Sequence, residues 1–312
     1  MHGLLILSQY ADEYLRLIRA ANPPGLSIMA TSAPEEGVTF GPDCDIVLGE
    51  PSLVSRVLHR LPDLCWVQSI WAGVEPLLDP GLRRDYVLTN ARGVFGELMS
   101  EYVFAYLLAH ERRIFPRHAA QAVCQWDDTP TGTLRGKKIG LMGVGSIGAC
   151  LARTARYFGM TVRGYTRASE TCADVDAYYH GTGLMAFVSD LDYLVSVLPN
   201  TADTRCIVDA ALLAALPPRA VFVNVGRGSG VDEAALAKAL QTGRIAGAVL
   251  DVFQEEPLPP GHFLWHTPNV LITSHTAAPS VPEDIVRIFL ENYQRLLQGE
   301  ALRFRVDFER GY

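Results

Sequence analysis

The sequence lacks both a membrane-spanning segment and a secretion signal. Its longest stretch without Asp, Glu, Lys or Arg runs from Pro257 to Pro282 and contains six prolines and three histidines, which a spanning helix would not tolerate. The N-terminal apolar run from Leu4 to Ser8 is shorter than the apolar core of a signal peptide. These absences predict a cytoplasmic protein.

An excess of basic charge and a pattern of paired cysteines are also missing. Lys and Arg number 27 against 34 Asp and Glu, a net charge of −7, so nothing indicates binding to nucleic acid or to an anionic membrane. The six cysteines show no metal-binding or redox spacing, so we expect reduced thiols and no metal site. No repeat with a period of about 20 to 50 residues is present, which excludes solenoids and propellers.

The sequence is instead rich in short apolar runs that alternate with amphipathic segments. At about 150 residues per domain, 312 residues predict two domains. The alternation is typical of parallel βα units, so we expect doubly wound α/β architecture. One long helix is predicted over Glu97–Cys124, kinked at Pro116, and a C-terminal helix over Glu283–Gln298. The second series of predicted strands comprises Lys138–Met142, Thr161–Tyr165, Tyr193–Leu198, Val221–Val225, Ile245–Leu250 and Val270–Thr273.

A glycine-rich turn follows the first strand of that second series. Gly143-Val144-Gly145-Ser146-Ile147-Gly148 precedes a helix predicted from Ile147 to Phe158. In such a motif the first Gly makes a tight turn, the second lets the main chain approach a pyrophosphate, and the third lets helix and strand pack closely. The helix N-terminus then offers N–H groups to the phosphates. The motif predicts a dinucleotide site, with an unliganded turn as the alternative.

The next strand ends at Tyr165-Thr166-Arg167, about where an NAD-selective site would carry an acidic residue for the ribose hydroxyls. Thr166 is uncharged, and a guanidinium at Arg167 suits a 2′-phosphate. The pair therefore predicts a preference for NADP(H), with NAD(H) still possible. A solvated Arg at the end of a strand is the alternative.

Three further motifs each follow a predicted strand. They are Asn224-Val225-Gly226-Arg227-Gly228, Asp251-Val252-Phe253-Gln254-Glu255-Glu256-Pro257 and Ser274-His275-Thr276-Ala277. In an open parallel sheet, ligands gather beyond the carboxyl ends of the strands, so these loops should converge. The sequence therefore predicts that Arg227, a Glu and His275 meet near a bound nicotinamide.

At these residues the chain resembles the D-2-hydroxyacid dehydrogenase family, particularly its glyoxylate/hydroxypyruvate reductase branch. The resemblance implies that Arg227 binds the substrate carboxylate, that His275 is the acid/base and that Glu256, rather than its neighbour Glu255, pairs with the histidine. Reduction of a 2-keto acid needs a hydride at the carbonyl carbon and a proton on its oxygen, which a histidine of near-neutral pKa delivers. We therefore expect NAD(P)H-dependent reduction of a small 2-keto acid such as glyoxylate or hydroxypyruvate to the D-2-hydroxy acid.

The resemblance also implies further binding residues. A Gly-containing turn would offer main-chain N–H groups to the substrate. Apart from the resemblance, Leu98 and Met99 could line the apolar side of the pocket, although a place in the buried core is favoured for residues of this type. The substrate candidates in the turn are Trp71, Ala72, Gly73 and Val74. The cofactor candidates are Gly143, Val144, Gly145, Ser146, Ile147, Gly148, Thr166, Arg167, Leu198, Pro199, Val225, Gly226, Asp251 (toward the nicotinamide carboxamide) and His275.

The domain plan is likewise implied by the resemblance. A flavodoxin-like substrate-binding domain would comprise residues 1–96 and 281–312, a Rossmann-type dinucleotide-binding domain would comprise 97–280, and a cleft would separate the two. The predicted long helix and the segment around Trp126 resemble the family's dimerisation region, so a homodimer is expected.

Several alternatives stay open at this level. The turn at 71–74 could hold no ligand, and His275 could be a hydrogen-bonded loop residue. A protein that senses NAD(P)(H) and acts as a corepressor-like interaction partner would keep the same fold, and a dehydrogenase of phosphoglycerate or formate would keep the same chemistry. Ser274 stands where many family members have Pro, which leaves the rigidity of that loop less assured.

Overall fold

The computed structural model describes residues 1–40 and 43–311, and divides the chain into two compact units, Met1–Val94 with Ser280–Tyr312 and Phe95–Pro279. The strands are β1 (His2–Leu7), β2 (Leu26–Thr31), β3 (Ile46–Gly49), β4 (Trp66–Ser69), β5 (Val87–Thr89), β6 (Lys138–Met142), β7 (Thr161–Tyr165), β8 (Ala177–Tyr179), β9 (Tyr193–Ser196), β10 (Val221–Asn224), β11 (Gly247–Leu250) and β12 (Val270–Ile272). The α-helices are α1 (Ala11–Ala21), α2 (Pro34–Phe40), α3 (Pro51–Val57), α4 (Gly96–Glu111), α5 (Ile114–Ala122), α6 (Ser146–Tyr157), α7 (Leu184–Val188), α8 (Ala210–Ala215), α9 (Glu233–Gln241) and α10 (Pro282–Leu297).

The first unit is built on a five-stranded parallel sheet in the order β2-β1-β3-β4-β5. The strands β1 and β3 carry apolar runs because both faces of a parallel sheet are covered, and β3 is buried along its whole length. The C-terminal helix α10 returns to this sheet. There Phe289 stacks on Trp66 with ring centroids 5.1 Å apart, and burial of an aromatic side chain of this size contributes about 2–3 kcal/mol.

A buried polar network also ties the C-terminal segment to the first sheet. Asn292 of α10 donates to the Gln68 side chain at 3.2 Å and accepts from the Arg303 N–H at 2.8 Å. Thr89 donates to the same Gln68 oxygen and accepts from the Trp66 indole N–H, each at 2.8 Å. Each of these buried polar groups is therefore paired, and the residues after α10 are fixed to β4 and β5.

The second unit carries a seven-stranded parallel sheet in the order β12-β11-β10-β9-β6-β7-β8. Apolar clusters cover both of its faces, one around Phe187, Leu212 and Phe222 and the other around Val103, Leu107 and Leu151. The chain runs outward from β6 to β8 and then returns to β9 on the other side of β6, so the strand order reverses there. Such a switch point opens a crevice beyond the carboxyl ends of the strands. The predicted fold class, two doubly wound parallel-sheet domains, is confirmed.

The prediction of one long helix over 97–124 was wrong. α4 ends at Glu111 and α5 begins at Ile114, because Arg113 between them adopts a left-handed backbone with φ of 54°. Pro116 does not kink the segment because it lies in the first turn of α5, where a helix needs no donor from its N–H. Within the described ranges, no helix is both long and apolar enough to cross a membrane.

Candidate active site

The glycine turn joins β6 to α6 as the motif predicts. Gly143 has φ of +97°, and a Cβ added to Gly148 would stand 2.2 Å from the Gly143 carbonyl oxygen, so the helix packs on the turn only because this residue is glycine. A Cβ on Gly145 would meet no atom within 4 Å, which leaves its main chain open to approach. No side chain caps the N-terminus of α6. These features fit a dinucleotide pyrophosphate, whose oxygens would take the uncapped N–H groups.

Two further loops follow neighbouring strands of the second unit, and Leu198 in the first of them lies beside this turn. Leu198-Pro199 follows β9 and Val225-Gly226 follows β10, and a Cβ on Gly226 would stand 2.7 Å from both the main-chain nitrogen and the oxygen of Leu198. The missing side chain at Gly226 therefore lets the two loops lie side by side. Thr166-Arg167 follows β7, where the Arg167 guanidinium is 64% exposed and lies 3.6 Å from an Asp203 carboxylate oxygen.

The structure brings Glu256 and His275 together. Nδ1 of His275 lies 2.7 Å from Oε2 of Glu256, and the second carboxylate oxygen accepts from the Phe253 N–H at 2.8 Å. Because an ionised carboxylate only accepts, Nδ1 donates and Nε2 is left for another partner. His275 has φ of 56°, and about half of its side chain is exposed. The pair forms a carboxylate–imidazole unit whose free nitrogen is accessible.

Each member of the pair changes the pKa of the other. The hydrogen bond to Glu256 raises the pKa of His275 above its ordinary value, against the opposing effects of burial and of the Arg227 charge. Burial alone would raise the pKa of Glu256, but the hydrogen bonds from His275 and Phe253 and the nearby positive charges bring it below its ordinary value. The unit therefore favours an imidazolium beside a carboxylate.

Asp251 holds the loop that carries His275. It is buried, and its carboxylate accepts from the Thr273 hydroxyl at 2.5 Å and from the main-chain N–H groups of Thr276 at 2.8 Å and Ala277 at 3.0 Å. The His275 N–H donates to the Asp251 carbonyl at 2.8 Å. The resemblance implied a contact of Asp251 with the nicotinamide carboxamide, and the contacts of its carboxylate with the 273–277 loop had no local signal in the sequence.

Arg227 occupies the loop after β10 and is half-buried. Its Nη1 donates to the Gly226 carbonyl at 2.9 Å, and Asn224 braces the same loop by donating to the Arg227 carbonyl at 3.1 Å. Its charge acts on the pKa values of both Glu256 and His275. The second unit thus collects a guanidinium, a carboxylate and an imidazole beyond β10, β11 and β12. Across the described ranges, no cluster of three or more His, Cys, Asp or Glu side chains is arranged to hold a metal ion.

The turn 71–74 belongs to the first unit and follows β4. Ser69 bonds both the N–H and the carbonyl of Trp71, and Asn90 donates to the Ala72 carbonyl at 2.8 Å. Within the described chain, the main-chain N–H groups of Ala72, Gly73 and Val74 donate to no protein acceptor. The turn therefore presents braced donors. Of the two apolar pocket candidates on α4, Met99 is buried in the core of the second unit and Leu98 is half-buried.

Comparison with known proteins gives the class to which this fold and these loops belong. The family model of the D-isomer specific 2-hydroxyacid dehydrogenase NAD-binding domain matches residues 104–277, and the chain belongs to that family. A glyoxylate/hydroxypyruvate reductase A from Salmonella paratyphi B is 35% identical over 217 residues, 70% of each chain.

Solved structures extend the likeness to the whole chain. A D-isomer specific 2-hydroxyacid dehydrogenase family protein from Aeromonas salmonicida superposes with a TM-score of 0.95 at 40% identity, covering 98% of this chain and 99% of that one. The NADPH-dependent glyoxylate/hydroxypyruvate reductase from Sinorhizobium meliloti, solved with NADP and sulfate, has a TM-score of 0.87 at 31% identity and full coverage of both chains.

Proposed function

We propose that the protein is an NADPH-preferring reductase that converts a small 2-keto acid, such as glyoxylate or hydroxypyruvate, to the D-2-hydroxy acid. The observation that carries the proposal is the 2.7 Å contact between Glu256 and His275. These residues lie in the loops after β11 and β12, in the same sheet as the strand β6 that leads into the dinucleotide turn. The relatives described as glyoxylate/hydroxypyruvate reductases support this substrate class. In this scheme residues 97–280 form the dinucleotide-binding domain, and residues 1–96 with 281–312 form the substrate-binding domain.

His275 is the proposed proton donor. Its Nδ1–H is held by Glu256, so the ring is oriented and Nε2–H is the proton available for the substrate carbonyl oxygen. Glu256 stabilises the imidazolium that exists before the transfer and so raises the pKa of His275, which keeps the donor protonated to higher pH than a free histidine. The nicotinamide cofactor, when bound, supplies the hydride.

Arg227 and the turn 71–74 are the proposed carboxylate binders. A guanidinium matches the planar carboxylate of a 2-keto acid in bidentate fashion and holds the neighbouring carbonyl in a fixed orientation. In the first unit, the N–H groups of Ala72, Gly73 and Val74 suit a carboxylate because no protein acceptor in the described chain uses them. Trp71, more than one-third exposed, is a proposed wall of the substrate site.

The cofactor proposal extends across the loops of the second unit. The turn 143–148 would hold the pyrophosphate, while Leu198, Pro199, Val225 and Gly226 would border the nicotinamide half. Asp251 has one carboxylate oxygen with a single protein donor, which leaves it room to accept from the carboxamide. Thr166 and Arg167 would receive the 2′-phosphate of NADPH, as expected of a chain similar to the Sinorhizobium meliloti enzyme described as NADPH-dependent.

Replacement of Arg167 by Ala tests the cofactor preference. We expect kcat/KM for NADPH to fall by about 10- to 100-fold, because a charged hydrogen-bonding partner of the 2′-phosphate contributes about 1.5–3 kcal/mol. The value for NADH should change by less than about threefold, since NADH has no group there to lose. Steady-state kinetics with both cofactors measure the two effects, and equal losses would contradict the assignment.

A panel of 2-keto acids tests the substrate class. NADPH consumption should be fastest with glyoxylate or hydroxypyruvate, slower with pyruvate and slowest with bulkier keto acids. Chiral chromatography of the hydroxypyruvate product should give the D-isomer. A protein that bound NADPH tightly but reduced no member of the panel would support the cofactor-sensing alternative instead.

A homodimer is proposed for the assembled protein. α5 has no buried residue, and exposed apolar side chains lie along it and just beyond its end, at Ile114, Phe115, Val123 and Trp126. Trp126 is 90% exposed, which is unusual for a large aromatic side chain without a partner. A second copy of the chain is the proposed partner for this surface.

A further inference from the structure

The loop after β7 is tied to the edge strand β8 by a histidine. His180, the first residue after β8, places Nδ1 2.9 Å from the Thr166 carbonyl oxygen and Nε2 2.7 Å from Oε1 of Glu170. The ring thus bridges the two ends of the segment 166–170. Arg167, the proposed ligand of the cofactor 2′-phosphate, lies inside that segment.

The geometry of this bridge sets the protonation state of the ring. A carbonyl oxygen and a carboxylate both only accept, so both ring nitrogens must carry a hydrogen for the two bonds to exist together. The Thr166 hydroxyl lies 3.2 Å from Nδ1, but it donates to the Ser169 carbonyl at 2.7 Å and so offers the ring no proton. The two hydrogen bonds of the bridge can therefore exist together only when the His180 ring is protonated.

Few other charges act on the ring. Tyr178 of β8 stacks on it with centroids 6.5 Å apart, and its hydroxyl is bonded to the main chain of Cys172. Burial raises the pKa of Tyr178, so it stays neutral in the range where a histidine titrates. The charges that remain within the bridged segment are those of Arg167 and Glu170.

We propose that His180 and Glu170 determine how strongly the protein discriminates NADPH from NADH. With His180 protonated, the Glu170 charge is neutralised and its carboxylate is held on the ring, so it adds no negative charge to that of the Asp203 carboxylate, which lies 3.6 Å from the Arg167 guanidinium. With His180 neutral, the Glu170 charge is uncompensated. Glu170 is three residues from Arg167 in sequence, so it would repel the bound 2′-phosphate, which carries nearly two negative charges. This inference rests on the proposed NADPH preference. It assigns the strength of that preference to His180 and Glu170, which are not among the proposed direct contacts of the 2′-phosphate.

The sign of the pH dependence follows from the same contacts. The hydrogen bonds to Glu170 and to the Thr166 carbonyl raise the pKa of His180 above its ordinary value, so the bridge persists to higher pH than the pKa of a free histidine would allow. Affinity for NADP⁺ should be high below that pKa and fall as the pH rises through it. Affinity for NAD⁺, which lacks the 2′-phosphate, should change little.

Calorimetric titration of the full chain with NADP⁺ and with NAD⁺, between about pH 6 and pH 9, tests this without turnover. For the wild type we expect the ratio of NADP⁺ affinity to NAD⁺ affinity to fall by about three- to tenfold as the pH rises across that range. This is the size of the effect of one charge that acts through solvent-exposed surroundings. His180→Gln, which donates without charge, should have the low ratio at every pH. Glu170→Gln should keep the high ratio at every pH, because no carboxylate is released.

Two further measurements separate the possible failures. The His180 ring resonance, followed by NMR, should titrate above its ordinary pKa in the wild type and return toward it in Glu170→Gln. If the wild-type ratio varies with pH no more than that of His180→Gln, the role of this pair is overturned. If Arg167→Ala weakens NADP⁺ and NAD⁺ equally, it is the underlying NADPH preference that fails. About one-third of the His180 side chain and more than half of the Glu170 side chain are exposed, so both substitutions should leave the fold intact and loss of folding does not mimic either result.

Discussion

Replacement of His275 by Ala is expected to lower kcat/KM for 2-keto acid reduction by about 10²- to 10⁴-fold, the contribution of a positioned general acid. The variant removes the only group of the Glu256–His275 unit that has a proton to give. NADPH consumption with the best substrate of the panel measures the loss, and titration with NADP⁺ shows whether cofactor binding survives.

His266→Ala is the matched control. His266 is an exposed histidine that also lies in the second structural unit, Phe95–Pro279. It is nine residues from His275 in sequence and outside the loops of the proposed site. Its substitution should leave kcat/KM within about twofold, as for an ordinary surface change. If His275→Ala resembled this control, proton transfer would have to be assigned to another group.

Glu256→Gln distinguishes a proton donor from a merely structural histidine. In the wild type the Glu256 hydrogen bond raises the pKa of His275, so the imidazolium persists to higher pH than in a free histidine. The rate of reduction should fall as the pH rises through the pKa of His275. In the variant the pKa drops back, and the alkaline limb of the pH–rate profile should move to lower pH. A limb that stayed in place would mean that His275 does not set it.

The dinucleotide turn could be predicted from sequence because its signals are local. Gly143 and Gly148 meet steric demands imposed by their own turn, and the observed β6 and α6 match the predicted elements to within one residue. The grouping of the three later loops was also predictable. Parallel strands present their carboxyl ends at one edge, so residues that follow them share that edge whatever their separation in sequence.

Elements without a strong local pattern were not predicted. β8 is half-buried along its three residues at the edge of the sheet, so it shows neither the continuous apolar run of a central strand nor a clear alternation. The break between α4 and α5 depends on a left-handed backbone at Arg113, and arginine carries no propensity for that conformation.

The supporting contacts of the site lay beyond sequence reasoning for a different reason. Asp251 contacts residues about 25 positions away, and His180, directly after β8, reaches Glu170 in the loop that follows β7. Such pairs depend on how loops fold over the edge of the sheet, and a single sequence contains no record of it. Motifs therefore indicated the groups that are proposed to meet the ligand, while the structure identifies the groups that hold them.

The second large effect is expected from Asp251→Asn, which should lower the free energy of unfolding by about 2–4 kcal/mol. One carboxylate oxygen accepts from Thr273 and Thr276 and the other accepts from the Ala277 N–H, all in a buried setting. An amide has only one acceptor oxygen, so in either orientation its NH₂ group would face a main-chain donor. Urea denaturation of both proteins measures the difference.

The same substitution should also lower kcat/KM by about 10- to 100-fold, because displacement of the 273–277 loop moves His275 out of line with its substrate. Asp209→Asn is the matched control: the Asp209 carboxylate also accepts a main-chain N–H, at the start of α8, and Asn caps a helix about as well as Asp. That variant should retain both stability and activity. If Asp251→Asn retained them as well, the position of the His275 loop would have to depend on its own backbone and on the Glu256 contact rather than on Asp251.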